Sequence, residues 1–295
     1  MRIPRTFTSA LLALGVTGAA LFASAGPAGA GPGDFGGADA PIRPGVQTIT
    51  DGAGQCTANF VFTDGSAVYI GQAAHCSGAG AATATDGCDQ AADPLPIGTS
   101  VEIIGFDGTS YNGTLAYSSW NTMIDGGEAD ADTCAYNDFA LVRINPADHD
   151  AVNPSLPYWG GPNGTRTSAT QFGESVYTYG NSGLRGGVST LSPKSGTSLG
   201  SDASGWTHTI YTATPGIPGD SGSAVLDSTG KGLGILVTVA IAPLAGSNGV
   251  SDLDKVLAYA NAHGGVGSLS VVDGTEAFNA NAVLGLPGLP IGFGF

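Results

Sequence analysis

Three short stretches carry side chains whose types could do covalent chemistry together. Ala73-Ala74-His75-Cys76 follows an apolar run, Asn137-Asp138 stands directly before another, and Gly219-Asp220-Ser221-Gly222-Ser223 sets a serine in a glycine-flanked turn. A serine hydroxyl is a poor nucleophile until a neighbouring base takes its proton. Histidine is the side chain whose pKa suits that transfer near neutral pH. A carboxylate beside the imidazole would fix its tautomer and stabilise its protonated form. Taken singly, each stretch has a plainer reading: a core histidine, a capping aspartate, one more serine in a Gly- and Ser-rich chain. The conjunction is more specific, since each pattern occurs once, in the order His–Asp–Ser, at gaps of 63 and 83 residues. The serine turn does not fit the G-x-S-x-G elbow of α/β-hydrolases, because Ser223 occupies the second Gly position and no helical pattern follows.

The 295 residues suffice for one large domain or two small ones. Apolar residues make up 42 %, enough for a sizeable core, whereas charged residues are only 11 %. Net charge is −15 with nine Lys and Arg and no stretch holding three of them together. Counterion displacement from nucleic acid needs clustered cations, so nucleic acid and anionic membranes are excluded as partners. At the N-terminus, Arg2 and Arg5 precede the mostly apolar Ala10–Ser24, and Ala28-Gly29-Ala30 matches a cleavage pattern, with Ala23-Ser24-Ala25 as a second. Residues 1–30 are therefore expected to be a signal peptide, the protein secreted and extracellular. The apolar stretch falls short of the roughly 20 residues of a membrane anchor. The four cysteines, Cys56, Cys76, Cys88 and Cys134, form no C-x-x-C, so disulfides are expected, with three pairings open. No pattern calls for a cofactor or a metal.

Stepping along the chain, residues 31–46 are mainly Gly, Pro and Ala and are expected to be a flexible leader or short propeptide. From Gln47 on, short β-branched and aromatic runs recur: Ala58–Thr63, Ala67–Gly71, Val101–Phe106, Phe139–Ile144, Glu174–Tyr179, Thr207–Thr212, Ser223–Leu226 and Leu233–Ile241. Asp-Gly and Asn-Gly turns separate several of them. Many short strands argue an all-β sandwich or barrel. One helix is expected near 251–263, where Val250, Leu253, Val256, Leu257 and Ala260 recur at helical spacing, Ser251 can cap and Gly264 can end it. The segment 271–295 reads as an apolar Gly/Pro-rich tail. Its last stretch, Ala280–Phe295, has no charge, and Pro287 and Pro290 rule out a continuous helix. It is expected to pack on the protein or on a partner.

With these residues in view, the chain from about Gln47 to His263 resembles the chymotrypsin–trypsin family, particularly its secreted bacterial members. The resemblance rests on the histidine, aspartate and G-D-S-G motifs at His75, Asp138 and Ser221. It implies two antiparallel β-barrels, 47–155 with His75 and Asp138 and 156–270 with Ser221, followed by the C-terminal helix. It implies a serine endopeptidase working through an acyl-enzyme on protein or peptide substrates, as a monomer. The backbone N–H groups of Gly219 and Ser221 would hold the oxyanion. It implies the disulfide Cys56–Cys76, leaving Cys88–Cys134. The pocket floor would fall at Pro215 and one wall at Val237–Ala240; neither is acidic, so small or apolar residues are expected at the cleaved position. Two departures stand out. Ser223 replaces the family's usual second Gly and is expected to shape the turn without joining the proton relay. Asp220 has no partner legible in the sequence: no Arg/Lys-Ile-Val-Gly-Gly activation site exists, and Tyr179-Gly180 stands where a buried arginine would be expected. Two rival readings remain: a catalytically silent protease fold serving as a binding or surface protein, and a carbohydrate-binding β-sandwich using Trp120, Trp159 and Trp206.

Overall fold

The computed structural model describes residue 1 and residues 35–81, 85–240 and 244–282. The expected signal peptide and the last part of the tail, 283–295, lie outside the described residues.

Among the described residues, fourteen strands form two sheets. The first orders β14-β3-β4-β7-β6-β5-β1-β2 and curls on itself. Its strands are β1 (Gln47–Thr50), β2 (Gln55–Thr57), β3 (Val61–Thr63), β4 (Val68–Gln72), β5 (Ser100–Ile104), β6 (Ser110–Ser118) and β7 (Ala140–Ile144). The second is a closed six-stranded barrel of β8 (Ser175–Tyr179), β9 (Pro193–Asp202), β10 (Thr207–Thr212), β11 (Ala224–Asp227), β12 (Gly232–Val239) and β13 (Asn248–Asp252). β14 (Ser270–Val271) returns to pair with β3 of the first sheet, so the chain past the helix does not stay with the second barrel. The paired strands are antiparallel, and the fold is mostly β, as the sequence pattern implies.

The runs rich in β-branched and aromatic residues are strands. The strands β1, β2, β6, β9, β13 and β14 lie outside those runs; β9 and β13, whose sequences PKSGTSLGSD and NGVSD have little β propensity, take strand geometry from closure of the barrel. The C-terminal helix α3 (Leu253–His263) buries Leu253, Val256, Leu257 and Ala260 against the core. Its cap is Asp252, whose side chain accepts from Lys255 N, and not Ser251. Ser251 lies in β13 and donates its hydroxyl to the Tyr136 carbonyl. Two short helices unforeseen in the sequence, α1 (Ser119–Gly126) and α2 (Ala131–Tyr136), sit between β6 and β7. The first stops at Gly127, in the left-handed region at φ 66°, and the second is capped by Asp130 accepting from Thr133 N.

The flexible leader expected over 31–46 is not found where the segment is described. Ile42 and Val46 are fully buried, and Gly36 N and Ile42 N donate to the carbonyls of Val152 and Ala151. The Gly- and Pro-rich composition concealed these two core side chains. The near part of the expected tail is likewise packed. Val272 N donates to Val61 O, Asn279 N to Trp159 O, and Phe278 meets the Tyr177 ring edge-on at 5.4 Å. Between these contacts the Glu276 carboxylate receives two bonds of 3.0 Å from Arg43 and one from Asn153. Residues 270–282 thus form a strap that ties the N-terminal segment and the inter-sheet connection to both sheets. Trp120 and Trp159 are buried, and Trp206 is partly covered beneath Lys255, so the tryptophans build core rather than a sugar platform.

Replacing Glu276 with Ala should loosen the strap. A partly exposed ion pair of this kind contributes about 1 kcal/mol, so thermal denaturation should show Tm lowered by about 2–4 °C. An unchanged Tm would show that the backbone bonds alone hold the strap.

Candidate active site

The register of β4 and β7 decides where the first two candidate residues meet. Gln72, the last residue of β4, pairs with Ala140, the first of β7. His75, in a single 3₁₀ turn three residues on, and Asp138, two residues before Ala140, therefore emerge at the same sheet end. His75 Nδ1 lies 2.6 Å from Asp138 Oδ2, and His75 N donates to Asp138 Oδ1 at 2.9 Å. Two bonds from one residue to both carboxylate oxygens fix the imidazole orientation. Asp138 is held in turn by Ser119, the first residue of α1. Its hydroxyl donates to Asn137 O at 2.7 Å and accepts from Phe139 N at 3.0 Å. The Trp120 ring packs 6.3 Å from the His75 ring.

Burial works to lower the His75 pKa, but the charge and hydrogen bond of Asp138 outweigh it and hold the imidazole above its ordinary value. The ring is 23 % exposed on its side chain, so solvent or substrate can reach it.

Ser221 comes from the other sheet, in the connection between β10 and β11. It reaches the His75 end of the first sheet through backbone contacts. Thr57 N, at the end of β2, donates to Ser221 O at 2.8 Å. Gly222, at φ 91°, lies so close that a Cβ would sit 2.3 Å from Thr57 O and 3.1 Å from Ala73 N. Only glycine satisfies both the angle and the approach. No hydrogen bond joins Ser221 Oγ to His75 in this structure; such bonds commonly tighten only when substrate binds.

The cysteines pair as Cys56–Cys76 and Cys88–Cys134. The first bond joins the neighbour of Thr57 to the neighbour of His75, so the supports of the serine turn and of the imidazole are covalently one piece.

The turn 217–223 can be accounted for atom by atom. Asp220 N donates to Ile217 O, Gly222 N to Leu236 O and Ser223 N to Asp220 O. Ile217 N donates to the Asp220 carboxylate. The Gly219 carbonyl accepts from Thr57 Oγ1 at 2.7 Å and Gln55 Nε2 at 3.1 Å. Residue 218 is proline and has no N–H. Two N–H groups are left, those of Gly219 and Ser221, and neither has an acceptor among the described residues.

Asp220 itself is fully buried, and the structure supplies the partners that the sequence did not show. Arg185 Nη2 lies 2.5 Å and Lys194 Nζ 3.1 Å from Asp220 Oδ2. Lys194 is also fully buried; desolvation pushes its ammonium below the ordinary lysine range, with Arg185 adding to this and Asp220 opposing it. Gly180 makes the room, because a Cβ there would lie 2.3 Å from Lys194 Nζ and 2.4 Å from Asp220 Oδ1. Sequence reasoning missed Ser119, Gln55, Thr57, Ser182, Arg185 and Lys194. For the last two a signal existed: in a chain with nine Lys and Arg, each buried cation demands a carboxylate. Arg185 stands 35 residues from Asp220, and only barrel closure brings them together.

A hydrogen-bonded, partly exposed His–Asp pair at the sheet end against which a glycine-shaped serine turn packs defines a class, the chymotrypsin-like serine proteases. The chain belongs to the family of trypsin-like peptidase domains, which matches residues 56–235, and as a member it is a serine endopeptidase. No curated protein matches it. Among solved structures it is similar to a Glu endopeptidase in complex with MPD, at 19 % identity over 75 % of this chain and 91 % of that one, TM-score 0.50. It is also similar to Thermobifida fusca protease A, at 20 % identity over 79 % and 99 %, TM-score 0.49. Cellulomonas bogoriensis chymotrypsin is similar at 17 % identity over 78 % and 98 %, TM-score 0.44.

The His75 imidazole should titrate above the ordinary value near 6.5. NMR of the ring protons should place it there in the native protein, and Asp138→Asn should bring it down by removing the charge that holds it up. A titration unchanged by that substitution would mean that Asp138 does not set the proton affinity of His75.

Proposed function

We propose that this chain is a secreted endopeptidase that cleaves peptide bonds through His75, Asp138 and Ser221. The observation that carries the reading is the doubly hydrogen-bonded His75–Asp138 pair standing where the Ser221 turn packs against the first sheet. In this reading His75 Nε2 takes the Ser221 proton as the oxygen attacks the carbonyl carbon. The tetrahedral oxyanion is received by the N–H groups of Gly219 and Ser221, the two left unspent in the turn. His75 then gives the proton to the leaving amine, and the acyl-serine is hydrolysed by water that His75 activates in the same way. Asp138 keeps Nδ1 protonated and Nε2 free for both transfers.

Secretion is supported by two disulfides, bonds of an oxidising compartment, and by the N-terminal segment read above. No helix among the described residues is long and apolar enough to cross a membrane. We take the working form to be a monomer.

A preference for small or apolar residues at the cleaved position is supported by Asn248. This fully buried side chain accepts from Gly216 N at 2.8 Å and donates to Thr238 O at 2.9 Å. It thereby ties the segment preceding Ser221 to the facing strand β12 and brings no charged group between the two expected pocket walls. The nearby Arg185 Nη2 binds Asp220 and the Pro215 carbonyl, while its buried Nε has no hydrogen-bond partner among the described residues.

A fluorophosphonate probe should label the mature protein at Ser221 and nowhere in Ser221→Ala, whose turnover should fall by about 10⁶. Absence of labelling in the folded wild type would favour a silent binding protein instead. On a panel of peptides differing only at the cleaved residue, Ala and Val should exceed Lys, Arg and Glu in kcat/KM; the reverse order would overturn the pocket assignment.

A further inference from the structure

The two unspent N–H groups belong to the peptide units 218–219 and 220–221. A peptide unit is planar, so whatever binds its carbonyl oxygen also fixes where its N–H points. Both carbonyls are bound by serine hydroxyls. Ser182 Oγ donates to Pro218 O at 2.6 Å, and Ser223 Oγ donates to Asp220 O at 2.5 Å. The peptide between them, 219–220, is held by Thr57 and Gln55 from the first sheet.

We infer that Ser182 and Ser223 are positioning residues for the oxyanion hole, each holding and polarising one of its two donor peptides from behind. This rests on the proposed role of Ser221. A hydroxyl bonded to a carbonyl draws electron density toward the oxygen and leaves the N–H on the far side a stronger donor, by about 10–30 % per bond. The same bond opposes rotation of the peptide plane, which would turn a carbonyl oxygen toward the substrate oxyanion in place of an N–H. Neither serine is free to do otherwise. Ser182 is buried, its own N–H donates to Asp220 Oδ1 at 3.0 Å, and its oxygen accepts from Leu184 N. Its approach depends on Gly219, where a Cβ would lie 2.9 Å from Ser182 Oγ. Ser223 is fully buried and outside the left-handed region, so a side chain fits where the family usually has glycine. Its hydroxyl reinforces a bond that its own N–H already makes to the same carbonyl. The departure at position 223 is thus a device, and the buried Asp220 carboxylate sets Ser182 in place to complete the pair.

The test compares Ser223→Ala, Ser182→Ala, the double variant and Ser182→Thr with the wild type. Active sites are counted with the fluorophosphonate, and kcat and KM are measured on one peptide substrate. A peptidyl trifluoromethyl ketone then reports the hole directly. Ser221 Oγ adds to its carbonyl carbon, the serine proton passes to His75, and ¹⁹F NMR follows the titration of the resulting hemiketal oxyanion. Each alanine variant should keep a full titre and a KM within about twofold, lose about tenfold in kcat, and raise the oxyanion pKa. Ser182→Thr, which keeps the hydroxyl, should restore most of the rate. A full titre with wild-type kcat and oxyanion pKa in both alanine variants would overturn the inference alone, as would a loss explained wholly by a lower titre. Failure of the wild type to label at Ser221 would overturn the proposed function and the inference with it.

Discussion

The buried carboxylate of Asp220 is the constraint on which the serine turn depends. Burying an ionised carboxylate costs several kcal/mol unless charge and hydrogen bonds compensate it. Here Arg185 and Lys194 supply charge, while Ser182 N and Ile217 N supply hydrogen bonds. These four partners come from the connection after β8, from β9 and from the turn itself, so satisfying one side chain fixes three pieces of chain relative to each other. Because Asp220 is next to Ser221, the proposed nucleophile inherits that fixation. The two cations meet the carboxylate from inside the fold.

The second sheet carries the proposed nucleophile and the first the proposed base, so their junction matters as much as either sheet. It is made at close quarters by backbone: Thr57 N to Ser221 O, Gly222 against Thr57 O and Ala73 N, and the Gly219 carbonyl under Thr57 and Gln55. The Cys56–Cys76 bond lies directly behind these contacts and restrains the His75 turn. At the remote side, the strap 270–282 and the segment 35–46 close over the inter-sheet connection through Glu276 and Arg43. Both ends of the molecule thus act on one relation, the placement of the two sheets relative to each other.

Each helix and loop around the site works in the same manner. Ser119 at the start of α1 holds the main chain on both sides of Asp138, and Asn248 spans the two walls beside the serine turn. Both side chains bond main chain and so set the positions of their neighbours.

The sequence by itself determined the strand-rich class, the apolar face of α3 and the three chemical motifs, because each is written in contiguous residues. Alternating β-branched runs, helical spacing and a glycine-flanked serine are local patterns that local propensity enforces. The sequence did not disclose β9 and β13, whose polar, Gly-containing stretches become strands only because barrel closure needs them. Nor did it disclose that 35–46 is packed, since Ile42 and Val46 matter only for the core they enter. Above all it left Asp220 without a partner and did not show which carbonyl the Ser223 hydroxyl binds. Arg185, Lys194 and Ser182 lie 26 to 38 residues from Asp220 along the chain. Charge and hydrogen-bond pairing act over a few ångströms of space, and no sequence spacing encodes that distance until the sheets have closed.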